Sequence, residues 1–203
     1  MGWIKIMNET LNYYDKNAET FANETTDIEF SETQNLFLSK LKEGAFILDF
    51  GCGSGRDTRY FLQKGYRVAA LDGSVELCKI AEEKTRIPVI QMDFNDFDEN
   101  DKYDGIWACS SILHLPKREL KDVLTHIEKA LHNGGVIYTS FKYGDFSGMR
   151  NGRYYTDFTE DSFRAFIADM KRLPIEKLWI TDDVRPGRQD EEWLNIILRT
   201  TRR

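Results

Sequence analysis

An apolar run, Ala45–Phe50, ends in Gly51-Cys52-Gly53-Ser54-Gly55 and passes at once into a stretch of helical period, Arg56–Lys64. Few backbones accommodate that order. A buried strand that stops in glycines and re-enters as a helix is the opening of a βαβ unit, whose loop faces a ligand crevice. The pattern then repeats. Runs Tyr66–Asp72, Pro88–Met92, Tyr103–Cys109 and Val136–Phe141 alternate with helical stretches Val75–Lys84 and Lys117–Leu131, as in a parallel α/β sheet. The runs read as almost continuously apolar, as strands covered on both faces do. Gly65 predicts the close of the first helix, Ser74 the N-cap of the second, and Asn133-Gly134-Gly135 a turn into the fifth strand.

The flanks read differently. Leu11–Phe21 and Ser31–Leu41 have helical period and no strand signal. Residues 142–158, rich in Gly, Tyr and Arg, predict a long connection, and Thr159-Glu160-Asp161-Ser162 opens a helix through Asp169. Ile175–Thr181 and Trp193–Thr200 then predict two strands across the polar segment Asp182–Glu192, a hairpin-like finish that adds an antiparallel strand. A length of 203 residues suits one such domain over 1–203. Its expected parts are helices over 1–43, a sheet core over 44–141, and a loop with the last strands over 142–203.

Composition narrows the partners. With 28 Lys+Arg against 34 Asp+Glu the net charge is −6, a poor match to a groove that must neutralise phosphates. The basic tail Arg199, Arg202, Arg203 is too short to reverse it. No apolar run nears the roughly 20 residues that span a bilayer. Met1-Gly2-Trp3-Ile4-Lys5-Ile6 leads into polar Asn8-Glu9-Thr10, without a signal-peptide core or a myristoylation context. Three widely spaced cysteines, Cys52, Cys78 and Cys109, form neither a disulfide framework nor a zinc site. The expectation is a cytoplasmic protein with no metal, membrane or nucleic-acid partner.

The glycine loop selects its ligand. A dinucleotide fingerprint needs a third glycine where Arg56 stands, and no Gly-Lys-Ser/Thr follows for a phosphate loop. Asp49, at the lip of the strand, repels a pyrophosphate but suits an amino group or a sulfonium. A nucleoside carrying positive charge is wanted, and S-adenosylmethionine meets that description. Asp72, ending the second strand, is placed to accept from ribose hydroxyls. Asp93, after the third strand, either accepts from an adenine amine or caps the strand end as ordinary turn chemistry. Phe94 is placed to stack on the ring.

The motifs Asp49-Phe50-Gly51-Cys52-Gly53-Ser54-Gly55, Asp72, Asp93, Trp107-Ala108-Cys109-Ser110 and Leu131-His132-Asn133-Gly134-Gly135 together resemble the class I S-adenosylmethionine-dependent methyltransferases. Gly53-Ser54-Gly55-Arg56-Asp57 and the Leu113-His114 pair look most like the small-molecule branch, with its tellurite-resistance, trans-aconitate and ubiquinone-biosynthesis types. The resemblance implies a Rossmann-like, doubly wound sheet of order 3-2-1-4-5-7-6, with strand 7 antiparallel and helices on both faces. It implies that the glycine loop (Gly51, Cys52, Gly53, Gly55, with Asp49) contacts the methionine part. Asp72, Gly73 and Ser74 would meet the ribose, Met92, Asp93 and Phe94 the adenine, and Tyr14 and Cys109 would complete the cofactor site.

On the acceptor side, His114 falls beside the methyl position as a candidate base, or as a residue that only shapes the pocket. Tyr13 and Tyr14 either pack over the cofactor or are ordinary buried tyrosines. Cys109 has no partner base in sequence and reads as an inert thiol. His126 and His132 read as surface residues. Lys142, Tyr143, Arg150, Arg153, Tyr154 and Tyr155, with Arg185 and Arg188, offer forks for an anionic acceptor. The competing reading is a solvated loop whose charges pair with Asp145, Asp157, Glu191 and Glu192; Arg56 and Asp57 have a like reading as a helix-end pair. Lys142, Arg153, Tyr154 and Arg188 are the acceptor candidates. The expected reaction is methyl transfer to a small molecule by in-line displacement. An RNA or protein methyltransferase and a non-catalytic S-adenosylmethionine-binding protein are the alternatives.

Overall fold

The computed structural model describes residues 2–201, with side chains from Glu9 onward. Met1 and the tail arginines Arg202 and Arg203 lie outside the described residues, as do the side chains of the amino-terminal start. Helices α1 (Gly2–Thr25) and α2 (Ser31–Leu38) precede β1 (Phe46–Phe50), α3 (Arg56–Gln63), β2 (Arg67–Asp72), α4 (Val75–Thr85) and β3 (Val89–Gln91). Then follow β4 (Tyr103–Ala108), α5 (Lys117–Ala130), β5 (Leu131–Lys142), β6 (Ser147–Arg150), β7 (Arg153–Thr156), α6 (Glu160–Ile167), β8 (Ile175–Asp182) and β9 (Glu192–Arg199).

The main sheet has seven strands in the order β3-β2-β1-β4-β5-β9-β8. Strands β1 to β5 pair in parallel, and β9 runs antiparallel to both β5 and β8. This is the expected order once β6 and β7 are set apart. Each strand feeds two cores because successive side chains point to opposite faces. Leu48, Ile106, Ile137 and Ile196 pack under α5 and α6. Ile47, Trp107, Val136 and Ile197 pack under α2 and α3. Ala70 and Val89 meet Cys78 and Ala81 of α4 on a smaller patch. Among the described residues no helix is long and apolar enough to cross a membrane.

Local signals act where they stand. The Ser74 hydroxyl accepts from Leu77 N–H at the start of α4, and Thr159 with Ser162 forms a reciprocal cap on α6. Two expectations fail. Asn133-Gly134-Gly135 is no turn into β5: the strand already begins at Leu131, paired with Tyr103, and an irregularity before the Gly105–Val136 pair absorbs the glycines. Residues 142–158 are not a bare connection either. Ser147–Arg150 and Arg153–Thr156 pair as a two-stranded hairpin, turned by Asn151 (φ +51°) and Gly152 (φ +77°). Two successive positive φ angles are what a two-residue hairpin turn requires, and Asn-Gly supplies them.

Candidate functional site

The carboxyl ends of the parallel strands open onto a cavity of about 550 Å³, within the roughly 300–1,000 Å³ of small-molecule sites. Residues of α1 and of the β6–β7 hairpin complete its wall. On the floor, Gly51 (φ +85°) and Gly53 (φ +55°) carry the chain through conformations that side chains disfavour. A Cβ on Gly51 would stand 2.3 Å from Ser111 Cβ, and one on Gly53 3.2 Å from Phe21. Those glycines let the loop after β4 and helix α1 close on the β1 loop.

Asp72 ends β2 on the cavity wall. Its Oδ2 accepts from Gly53 N–H at 2.8 Å and its Oδ1 from Ser74 N–H at 2.9 Å. Each oxygen keeps a further acceptor site, and burial raises the carboxyl above its ordinary value. Gly73 also lines the cavity. Asp93 Oδ1 accepts from the Asn95 backbone at 2.9 Å and from its side chain at 3.0 Å, so the strand-end cap is present, while the residue still lines the cavity. Phe94 lines it too and stacks on Phe50 at 4.7 Å. Cys52 and Cys109 complete this wall; burial pushes the Cys109 thiol up to about 12, an unreactive thiol rather than a nucleophile.

Several expected site residues lie elsewhere. Asp49 is off the cavity wall: it shares the inner face with Ile47, and its Oδ2 accepts from Thr58 of α3 at 2.6 Å. Burial and the neighbouring Asp57 raise its carboxyl, so it does not act as a charge at the strand lip. Gly55 packs rather than binds, since a Cβ there would stand 2.7 Å from Thr85 of α4. The absent side chain lets α3 pack closely against α4. The Ser74 hydroxyl is taken by the cap and by Asp15 of α1, at 2.6 Å. Met92 packs into the core under α5. The Tyr154 hydroxyl turns to Ser147, at 3.0 Å, and the next residue, Tyr155, lines the cavity instead.

His114 is held at both nitrogens. Its Nδ1 donates to the Tyr154 carbonyl at 2.6 Å, because a carbonyl only accepts; its Nε2 therefore accepts from the Tyr14 hydroxyl at 2.8 Å. Burial pulls the imidazole down to about 4. A general base wants a value near the working pH, so the candidate-base reading gives way to a joint between α1, the loop after β4, and β7. His132 is exposed as expected, whereas His126 is half-buried on α5 with Nδ1 unpartnered.

The helix-end pair of Arg56 and Asp57 is present at the start of α3, and further partners join it. Asp57 is buried and accepts from Arg56 at 2.8 Å, Gln34 at 2.6 Å and Trp107 at 2.7 Å. Arg56 and those hydrogen bonds hold the carboxyl below its ordinary value against the cost of burial. Both residues line the cavity, joining α2, α3 and β4 behind the glycine loop. Toward the other end, Lys142 lies 4.1 Å above the Trp193 ring and pairs with Asp183 and Glu191. Arg188 faces Glu191 at 4.0 Å. Asp183, on which Arg185, Lys142 and Trp193 converge, was not anticipated; those donors hold it far below the carboxylate range.

A family model described as a methyltransferase domain matches residues 47–135. A methyltransferase of Geobacillus kaustophilus, itself uncharacterised, is 25% identical over 170 residues, 79% of either chain. The (S)-coclaurine N-methyltransferase of Thalictrum flavum is 25% identical over 201 residues, covering 86% of this chain and 54% of the relative. Among solved structures, the Burkholderia thailandensis 1,6-didemethyltoxoflavin-N1-methyltransferase, with bound 1,6-didemethyltoxoflavin and S-adenosylhomocysteine, shares the fold. It superposes with a TM-score of 0.81 at 21% identity, covering 98% of this chain and 91% of that one. Together these comparisons support a class I S-adenosylmethionine-dependent methyltransferase. The match covers the segment from β1 to the start of β5, the same one that supplies the glycine loop, Asp72, Asp93 and Cys109. As a methyltransferase the chain takes S-adenosylmethionine, and its donor set fits that group: hydroxyl acceptors at Asp72 and Asp93, an apolar ring at Phe94, and no phosphate cradle.

Proposed function

We propose that this methyltransferase acts on a small-molecule acceptor seated under the β6–β7 hairpin, beside the cofactor. One observation carries the reading. The cavity runs without interruption from Asp72 and Asp93 to Tyr155 and Trp193, so a cofactor at one end and a compact acceptor at the other share one space. Relatives and structural neighbours with small-molecule names and N-methyl chemistry include the coclaurine, pavine and 1,6-didemethyltoxoflavin enzymes.

When bound, S-adenosylmethionine supplies a methyl group on a sulfonium, ready for in-line displacement. The chain's own residues hold and orient. Asp72 offers the ribose hydroxyls its free acceptor sites, Asp93 and Phe94 take the adenine, and Gly51, Cys52, Gly53 and Gly73 lie along the rest. Tyr14 and Cys109 line the same cavity, as do the acceptor-side candidates Lys142, Arg153, Arg188 and, beside them, Tyr155. Helix α1 and the hairpin exclude water and fix the approach, the dominant contribution when two reactants must only be aligned. With both His114 nitrogens engaged, the imidazole takes no proton; the acceptor arrives nucleophilic or loses its proton to solvent.

Calorimetric titration with S-adenosylhomocysteine and with NAD tests the cofactor half. Saturable binding of S-adenosylhomocysteine, with a rise in Tm by mass action, is expected. A preference for NAD refutes the assignment. The acceptor half is tested by release of S-adenosylhomocysteine with ring-compound, RNA and peptide panels; turnover on RNA or peptide alone removes the small-molecule reading.

A further inference from the structure

Six Lys or Arg side chains line the cavity, and five of them meet carboxylates. Arg56 pairs with Asp57, Lys142 with Asp183 and Glu191, Arg150 with Asp157, Arg185 with Asp183, and Arg188 with Glu191. Among the described residues Arg153 is the exception. Its guanidinium lies 4.4 Å from the centre of the Tyr13 ring, 5.4 Å from Tyr155 and 5.6 Å from Tyr14. Its one polar contact among the described residues is a long 3.4 Å donation to the Tyr14 hydroxyl, and its Nε is buried with no partner among them. A guanidinium cannot shed its proton. Ring faces offset part of the lost hydration, and a half-buried cation with no counterion remains costly.

The position is built, not incidental. Arg153 opens β7 directly after Gly152, whose Cβ, were there one, would stand 3.1 Å from Tyr13 of α1. The hairpin tip thus rests on Tyr13, and α1 and β7 together form the aromatic sleeve around the guanidinium. The free donors of a planar fork match a planar oxyanion in two parallel hydrogen bonds, and rings on its flanks favour a flat ligand.

The geometry points to an acceptor that carries a carboxylate or an equivalent planar oxyanion on a ring, seated against Arg153. This rests on the small-molecule reading above and adds the acceptor's chemical class. The same chemistry has a second source, the carboxylate of the cofactor's methionine part, and the experiment separates the two.

Calorimetry on the wild type first measures S-adenosylhomocysteine binding; its failure refutes the methyltransferase reading alone. The protein saturated with S-adenosylhomocysteine is then titrated with benzoate, 4-hydroxybenzoate and 2-aminobenzoate, and with the matching neutral amides. The acids are expected to bind at least about tenfold better than the amides, the size of one charge-assisted contact. Arg153→Gln should abolish that preference and leave S-adenosylhomocysteine affinity within about twofold; Arg153→Lys should keep part of the preference, which guards against a merely misfolded variant. Absence of any acid preference in the wild type, including absence of acid binding, overturns the proposal. So does a fall of S-adenosylhomocysteine affinity by about tenfold or more in Arg153→Gln, which would give the oxyanion to the cofactor.

Discussion

His114 is built into the wall as a neutral imidazole, and acidification makes that visible in stability. In the folded chain its value lies at about 4, against an ordinary 6.5. Burial disfavours the imidazolium, and Nε2 must stay unprotonated to accept from Tyr14. The unfolded chain therefore binds more protons than the folded one as pH falls below about 6.5. Stability due to this group is full above that value and is lost progressively down to about 4, where the loss is complete. The span is worth about 3 kcal/mol in all. Between pH 7 and pH 5 the linkage relation gives a loss of about 2 kcal/mol. Urea unfolding of the wild type and of His114→Gln at those two pH values measures it. The variant is less stable at pH 7, where a partner of Tyr14 is disturbed, but its decline from pH 7 to pH 5 should be shallower by about 2 kcal/mol. Equal slopes in the two proteins, within about 0.5 kcal/mol, would refute the buried neutral imidazole. The same would follow from a kcat/KM limb near pH 6–7 that vanishes with the substitution, since that limb belongs to a base.

Two further substitutions separate binding from packing. Asp72→Asn replaces an acceptor oxygen with a donor where Gly53 and Ser74 already donate; S-adenosylhomocysteine affinity should fall about 10- to 100-fold, and a calorimetric Kd within twofold of the wild type would remove Asp72 from the ribose. Gly55→Ala places a Cβ at φ +80° and 2.7 Å from Thr85, so stability should drop by about 1–3 kcal/mol, about 2–10 °C in Tm. Its S-adenosylhomocysteine affinity should stay unchanged below the melting transition, and a selective loss of affinity would return Gly55 to the cofactor site.

Local pattern made most of the sheet legible. Strand runs, crossover helices and the caps at Ser74 and Thr159 depend on residues within a few positions of each other, and the structure keeps them. The β6–β7 hairpin is equally local, yet its strands escape the periodicity that marks the others. Asn151-Gly152 between Ser147–Arg150 and Arg153–Thr156 carries the turn signal, hidden because those short strands have too few apolar residues to alternate. Strand parity likewise puts Asp49 on the face of Ile47, toward α3, although it stands two residues before the glycine motif.

By itself, the sequence determined the strands of the main sheet and the helices between them, the glycine loop at the end of β1, and the acids that follow β2 and β3. Those follow from period, backbone permissiveness and chain position, all short-range properties. Only the tertiary structure decided which polar groups are spent and which are free. His114 meets partners 100 and 40 residues away; Asp57 gathers Gln34 from α2 and Trp107 from β4. The cations that line the cavity divide in the same way, five onto carboxylates and Arg153 onto rings. Pairing of this kind depends on distances across the fold, and a charge in a sequence looks the same whether or not its counterion waits on another strand.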